Sequence, residues 1–136
     1  MTFRTNRKNL LVFENLQGYS VVNLDFDFFD LMKEITVSEL KSLKDSNADI
    51  QVIDVREPHE YEICNLGGEL IPLSTIPDSI DRIDRTKQVI IHCRSGARSG
   101  QAVTWLEKNH GFNNLHNLKG GILAWANEID PTLPKY

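Results

Sequence analysis

Apolar and polar positions change period several times along this chain, and each change marks an element. Leu10-Leu11-Val12-Phe13 and Tyr19-Ser20-Val21-Val22 read as two strands around a turn from Asn15 to Gly18, a hairpin signal. An isolated hairpin is marginal in water, so this one is expected to lie on the main domain, pair with a second copy or derive from a larger protein, the last being favoured. Asp25-Phe26-Asp27-Phe28-Phe29-Asp30 follows as an acidic, aromatic linker whose phenylalanines are expected to dock.

A compact domain starts near Ile35. Thr36-Val37-Ser38-Glu39 has capping-box form, and Val37, Leu40 and Leu43 supply the apolar stripe of a helix to about Lys44. Ile50 to Val55 is nearly continuous in apolar character, which marks a strand buried on both faces. Pro58 suits the first position of a short helix, and Gly67-Gly68 mark a turn. Leu70 to Leu73 read as a brief strand running out at Pro72, and Ile76, Ile80 and Ile83 as a helical stripe. Val89 to Ile91 form a buried strand, and Gln101 to Lys108 carry Ala102, Val103 and Leu106 at helical spacing, with Gly111 as the stop. Leu115 to Leu118 make the last strand. Gly120-Gly121 open a helix bearing Ile122, Leu123, Ala126 and Ile129, and Pro131 and Pro134 keep the remainder from being helical. Alternating strands and helices argue for an α/β fold, a doubly wound parallel sheet with helices on both faces.

Composition narrows the function classes. The 136 residues suit one ordinary domain and a short appendage. No apolar run approaches the roughly 20 residues that span a bilayer, so no membrane partner is expected. The start lacks the form of an export signal, because Glu14 and Asn15 interrupt Leu10 to Phe13, and a reducing cytoplasm is expected. Two cysteines, Cys64 and Cys93, make no disulfide framework, and without paired CxxC motifs no metal is expected. A formal charge of −4 offers no general basic field, so nucleic acid is not an expected partner.

The candidate chemistry lies in His92-Cys93-Arg94-Ser95-Gly96-Ala97-Arg98-Ser99, between a strand's carboxyl end and a helix's amino end. A tight loop closing on a helix start aims several amides at one point, and the helix dipole and the guanidinium groups of Arg94 and Arg98 add positive charge there. Cys93 at that focus should ionise more readily than a free cysteine of pKa about 8.5. The amides of residues 94–99 would then stabilise an anion on the sulfur. Four residues separate Cys93 from Arg98, one fewer than in the phosphate loop of tyrosine phosphatases. The smaller ring suits the terminal sulfur of a persulfide better than a tetrahedral phosphate.

This loop resembles the active loop of rhodanese-type sulfurtransferases. Asp54-Val55-Arg56-Glu57, the turn from Glu62 to Pro72, and Leu118-Lys119-Gly120-Gly121-Ile122-Leu123-Ala124-Trp125 fall in the same family order. The turn is one residue shorter than the usual pattern, with Cys64 where glycine is common. In this, and in its ending, the chain resembles the rhodanese domain fused behind the adenylating domain of molybdopterin-synthase adenylyltransferase/sulfurtransferases. The resemblance implies a sheet of about five strands, a rhodanese-like domain over residues 35–136, and in residues 1–34 a hairpin and linker left from a preceding adenylating domain. It implies Cys93 as the nucleophile that carries sulfane sulfur as a persulfide, with no cofactor. Donors are a small anion such as thiosulfate, or a cysteine desulfurase. The acceptor is the adenylated end of a ubiquitin-like sulfur carrier in molybdopterin- or thiamine-type cofactor synthesis.

Two other functions remain open: a non-catalytic rhodanese module for docking or regulation, and a phosphatase or arsenate reductase, which the loop count disfavours. Asp54, Arg56 and Glu57 are expected at the active-site rim, since ligands of open α/β sheets bind beyond the strands' carboxyl ends. A salt bridge that holds this edge together explains Arg56 and Glu57 equally well. His92 points to the opposite face from Cys93 and reads as structural. Cys64 is an alternative resolving thiol, and Trp105 and Trp125 read as packing residues.

Overall fold

The computed structural model describes residues 3–5, 10–15, 18–23 and 32–136, with side chains described from Met32 onward. Contacts divide the chain into two units, Met1–Leu31 and Met32–Tyr136. In the first unit, β1 (Phe3–Thr5), β2 (Leu10–Asn15) and β3 (Gly18–Asn23) form an antiparallel sheet in that order. The β2–β3 register, from Leu10 opposite Asn23 to Asn15 opposite Gly18, is the hairpin read from the alternation. The first strand, paired through Phe3 opposite Phe13, had no comparable signal. The aromatic stretch from Asp25 to Asp30 lies outside the described residues.

The second unit is built on five parallel strands: β4 (Glu34–Ile35), β5 (Ile50–Asp54), β6 (Glu69–Leu70), β7 (Gln88–His92) and β8 (Leu115–Leu118). Their order across the sheet is β4-β8-β7-β5-β6, and every pairing is parallel. Four α-helices join them: α1 (Val37–Asp45), α2 (Pro58–Ile63), α3 (Ala97–His110) and α4 (Gly121–Glu128). Among the described residues, no helix is long and apolar enough to cross a membrane.

The two-residue period of β7 divides the core. Val89, Ile91 and Cys93 join Ala102, Val103 and Leu106 of α3 on one face, while Ile90 meets Leu40 of α1 and Trp125 of α4 on the other. Ile90 and Ile91 are both fully buried, each contributing about 1.5–3 kcal/mol of transfer free energy. Cys93 and His92 therefore lie on opposite faces. Trp125 and Trp105 both pack against the core, as their helical settings indicate.

Three local expectations change. The Ile76, Ile80 and Ile83 stripe forms two short 3-10 helices, Leu73–Asp78 and Ile80–Arg82, because Pro77 lacks the donor an α-helix needs. The Thr36 hydroxyl accepts from the Glu39 amide at 3.1 Å, but the Glu39 carboxylate takes the hydroxyl proton and not the Thr36 amide. Finally, α3 starts at Ala97, four residues ahead of Gln101, where the apolar spacing places the helix. Arg98 and Ser99 thus belong to its first turn.

Candidate active site

Cys93 follows β7 directly, and its side chain is buried beneath the turn that enters α3. Gly96 makes this turn with a φ of 109°, in the left-handed region that disfavours side chains. The turn brings the Gly96 amide to 3.1 Å from Cys93 Sγ, and Ser99 Oγ lies 3.4 Å from the same sulfur. No side chain caps α3, so its free first-turn donors are directed at the cysteine. Burial pushes the thiol pKa up, but the Ser99 hydroxyl and the amides of Ser99, Gly96 and Ser95 outweigh it, and the thiol is held below its usual value.

Two neighbouring elements hold the turn from outside. Asn117, buried in β8, accepts from Ser99 Oγ at 2.5 Å and donates from Nδ2 to the Gly96 carbonyl at 3.1 Å. At the start of α4, the amides of Ile122 and Leu123 donate to the carbonyls of Cys93 and Arg94, both at 3.0 Å. With these carbonyls engaged by α4, the turn's amides are left to face the sulfur. Gly121 permits the contact: its φ is 60°, and a Cβ there would run into the carbonyls of Arg94 and Cys93.

Both loop arginines are engaged within the protein. Arg98 forms a bidentate pair with Glu60 of α2, Nη1 to Oε1 at 2.7 Å and Nη2 to Oε2 at 2.9 Å. That pair, with a further hydrogen bond from Tyr136, holds the Glu60 carboxyl at a pKa of about 2 despite its partial burial. Arg94 donates from Nε to the backbone carbonyl of Tyr136, with its guanidinium 5.3 Å from the Tyr136 ring centre.

The residues expected at the rim fall in two settings. Asp54 and Arg56 are fully buried, joined through Nη2–Oδ2 at 2.7 Å and Nε–Oδ1 at 3.0 Å. Arg56 further donates to the carbonyl of Cys64 at 2.7 Å and to Tyr136 Oη at 2.8 Å. It is an internal brace, because a buried guanidinium must have all its donors met. Glu57 is exposed at the start of α2 and makes no capping bond.

His92 and Cys64 also have structural settings. His92 is fully buried, 3.8 Å from Asp54, and burial pushes its pKa down. Both cysteines are free, and Cys64 Sγ donates to the Pro134 carbonyl at 3.4 Å.

Sequence reasoning missed Glu60, Asn117 and Tyr136. Asn117 had a usable signal, since it shares a strand face with Leu115 and interrupts an otherwise apolar position. Glu60 and Tyr136 gave none. Their bonds to each other and to Arg98 join segments far apart in the chain.

The family model for the rhodanese-like domain matches residues 36–128. The Rhodanese-like/PpiC domain-containing protein 12, chloroplastic, of Arabidopsis thaliana is 36% identical over 113 residues, covering 77% of this chain and 38% of that protein. The probable adenylyltransferase/sulfurtransferase MoeZ of Mycobacterium tuberculosis is 34% identical over 105 residues, 75% of this chain and 26% of MoeZ. The chain thus spans well under half the length of either relative. The crystal structure of a rhodanese-like domain protein from Staphylococcus aureus superposes with a TM-score of 0.64 at 34% identity, over 72% of this chain and 95% of that one.

Proposed function

The chain belongs to the rhodanese-like family, and from that membership we propose that it is a sulfurtransferase in which Cys93 carries sulfane sulfur as a persulfide. The observation that carries the reading is the setting of Cys93 Sγ, 3.1 Å from the Gly96 amide with the thiol held below its usual pKa. The thiolate attacks the outer sulfur of a donor. A new S–S bond forms to Cys93, the donor's own S–S bond breaks, and its electron pair leaves on sulfite from thiosulfate or on the thiolate of a persulfide donor. The terminal sulfur of Cys93–S–S⁻ then occupies the space the amides face, held by charge-assisted hydrogen bonds.

Similarity to MoeZ supports a narrower version. The donor is then thiosulfate or the persulfide of a cysteine desulfurase, and the acceptor is the adenylated carboxyl terminus of a small ubiquitin-like sulfur carrier. The product is a thiocarboxylate for molybdopterin- or thiamine-type cofactor synthesis.

Thiocyanate formation from thiosulfate and cyanide tests the chemistry. Cys93→Ala should abolish it while leaving the fold, because alanine fills the small buried site without a nucleophile. Turnover of the folded variant at the wild-type rate would refute the role of Cys93.

A further inference from the structure

Tyr136 touches both ion pairs beside Cys93 as well as an arginine of its loop. Its hydroxyl donates to Glu60 Oε2 at 2.6 Å and accepts from Arg56 Nη1 at 2.8 Å. Asp54, Arg56, Tyr136, Glu60 and Arg98 form an unbroken hydrogen-bonded chain with two positive and two negative members. Arg94 lies 5.3 Å from the ring centre and donates Nε to the Tyr136 carbonyl. Pro134 and Lys135 join Ile122, Leu123 and Ala126 in lining the recess shared by Arg94 and Tyr136.

We propose that Tyr136 is a specificity-determining residue of the Cys93 site, which makes it favour a persulfide donor of low charge over the thiosulfate dianion. The inference rests on the sulfurtransferase reading and adds to it the donor class and the residue that selects it. A lone guanidinium attracts a dianion strongly, whereas one held bidentately by a carboxylate presents a dipole. Arg98 is in that second state, and Tyr136 keeps it so by fixing Glu60 Oε2, which Arg98 Nη2 also binds. Arg94 is drawn to the Tyr136 ring and carbonyl. An approaching dianion gains little from either arginine.

A persulfide donor R–S–SH, with at most one negative charge, depends less on that attraction. The Cys93 thiolate attacks its outer sulfur, the inner S–S bond breaks, and R–S⁻ leaves with the electron pair. The persulfide proton passes to water, leaving Cys93–S–S⁻. No outside oxidant or reductant is needed.

The test compares loading of Cys93 by thiosulfate and by the hydropersulfide of 2-mercaptoethanol, a donor with at most one negative charge, in wild type, Tyr136→Phe and Tyr136→Ala. Wild type should show the higher kcat/KM with the hydropersulfide. Tyr136→Phe removes the bonds to Glu60 and Arg56 but keeps the ring, while Tyr136→Ala also removes the ring from Arg94. The kcat/KM ratio should shift toward thiosulfate in the first and several-fold further in the second, through a lower KM for thiosulfate with the larger part of kcat retained. That gain should shrink with added salt. Equal changes for both donors, or a change confined to kcat, would overturn the inference and leave the sulfurtransferase reading standing. Failure of either donor to load wild-type Cys93 would remove that reading and the inference with it.

Discussion

Glu60 and Arg98 stand 38 residues apart in the chain and share two nearly parallel hydrogen bonds of 2.7 and 2.9 Å. The pair ties α2, which follows β5, to the first turn of α3, which follows β7. These strands are neighbours, with Asp54 opposite His92 at their carboxyl ends. The turn around Cys93 is thereby clamped from α2, while Asn117 holds it from β8 and the start of α4 holds its carbonyls. Nucleophile and amides are arranged before any substrate arrives, which is the condition for electrostatic stabilisation without reorganisation during reaction.

Breaking one side of the Glu60–Arg98 pair should cost more than removing both. Arg98→Ala leaves a largely buried carboxylate with only the Tyr136 hydroxyl, and should destabilise the fold by about 1–3 kcal/mol. Adding Glu60→Gln should recover part of that loss. Urea unfolding of the two single variants and the double variant measures the coupling, and simple additivity would deny it.

Acid stability should report the same carboxylate. Its pKa is lowered from 4.5 to about 2 in the fold, so its contribution is fully present above the unfolded value and is lost as pH falls through the folded one. Unfolding stability should therefore drop between about pH 4.5 and pH 2, with a shallower slope in Glu60→Gln. Identical slopes for wild type and variant would place the titration elsewhere.

Cys93 should be alkylated by iodoacetamide with a midpoint below the value of about 8.5 for a free cysteine. Asn117→Ala removes the partner of both Ser99 and the Gly96 carbonyl, so it should move the midpoint upward and lose about 1–3 kcal/mol of stability. A loss of stability with no shift in the midpoint would make Asn117 a packing residue alone.

The paired glycines before α4 separate loop geometry from helix packing. Both have positive φ, but a Cβ on Gly120 would press on Ala124, while one on Gly121 would press on the carbonyls of Cys93 and Arg94. Both alanine variants should lose stability, by about 1–3 kcal/mol of backbone strain. Gly121→Ala alone should also raise the Cys93 alkylation midpoint. Matching midpoints in the two variants would mean that contact with α4 does not shape the turn.

How far the sequence could be read depended on how local each determinant was. Leu115 to Leu118 were found with their observed bounds, and Ile50 to Val55 nearly so, because each is a short run of mostly or terminally apolar residues set between turn residues. The start of α3 was missed because Gly96 precedes it where a side-chain cap would normally mark a helix, and its first turn is polar. Ile76, Ile80 and Ile83 misled because the tighter helix shares part of the α-helical spacing and Pro77 decides between them. For the site, the motif around Cys93 was visible. The commitment of Arg98 to Glu60 and of Arg94 to Tyr136 was not, since it depends on contacts that only the folded chain creates.

Sulfur loading, followed by mass spectrometry, tests the central claim most directly. The reduced protein is exposed to the hydropersulfide of 2-mercaptoethanol or to thiosulfate, desalted, and weighed intact before peptide mapping. The expected result is one added sulfur atom, located on Cys93, removed by cyanide and absent from Cys93→Ala. An unmodified protein, or sulfur that maps to Cys64 and persists in Cys93→Ala, would contradict the account.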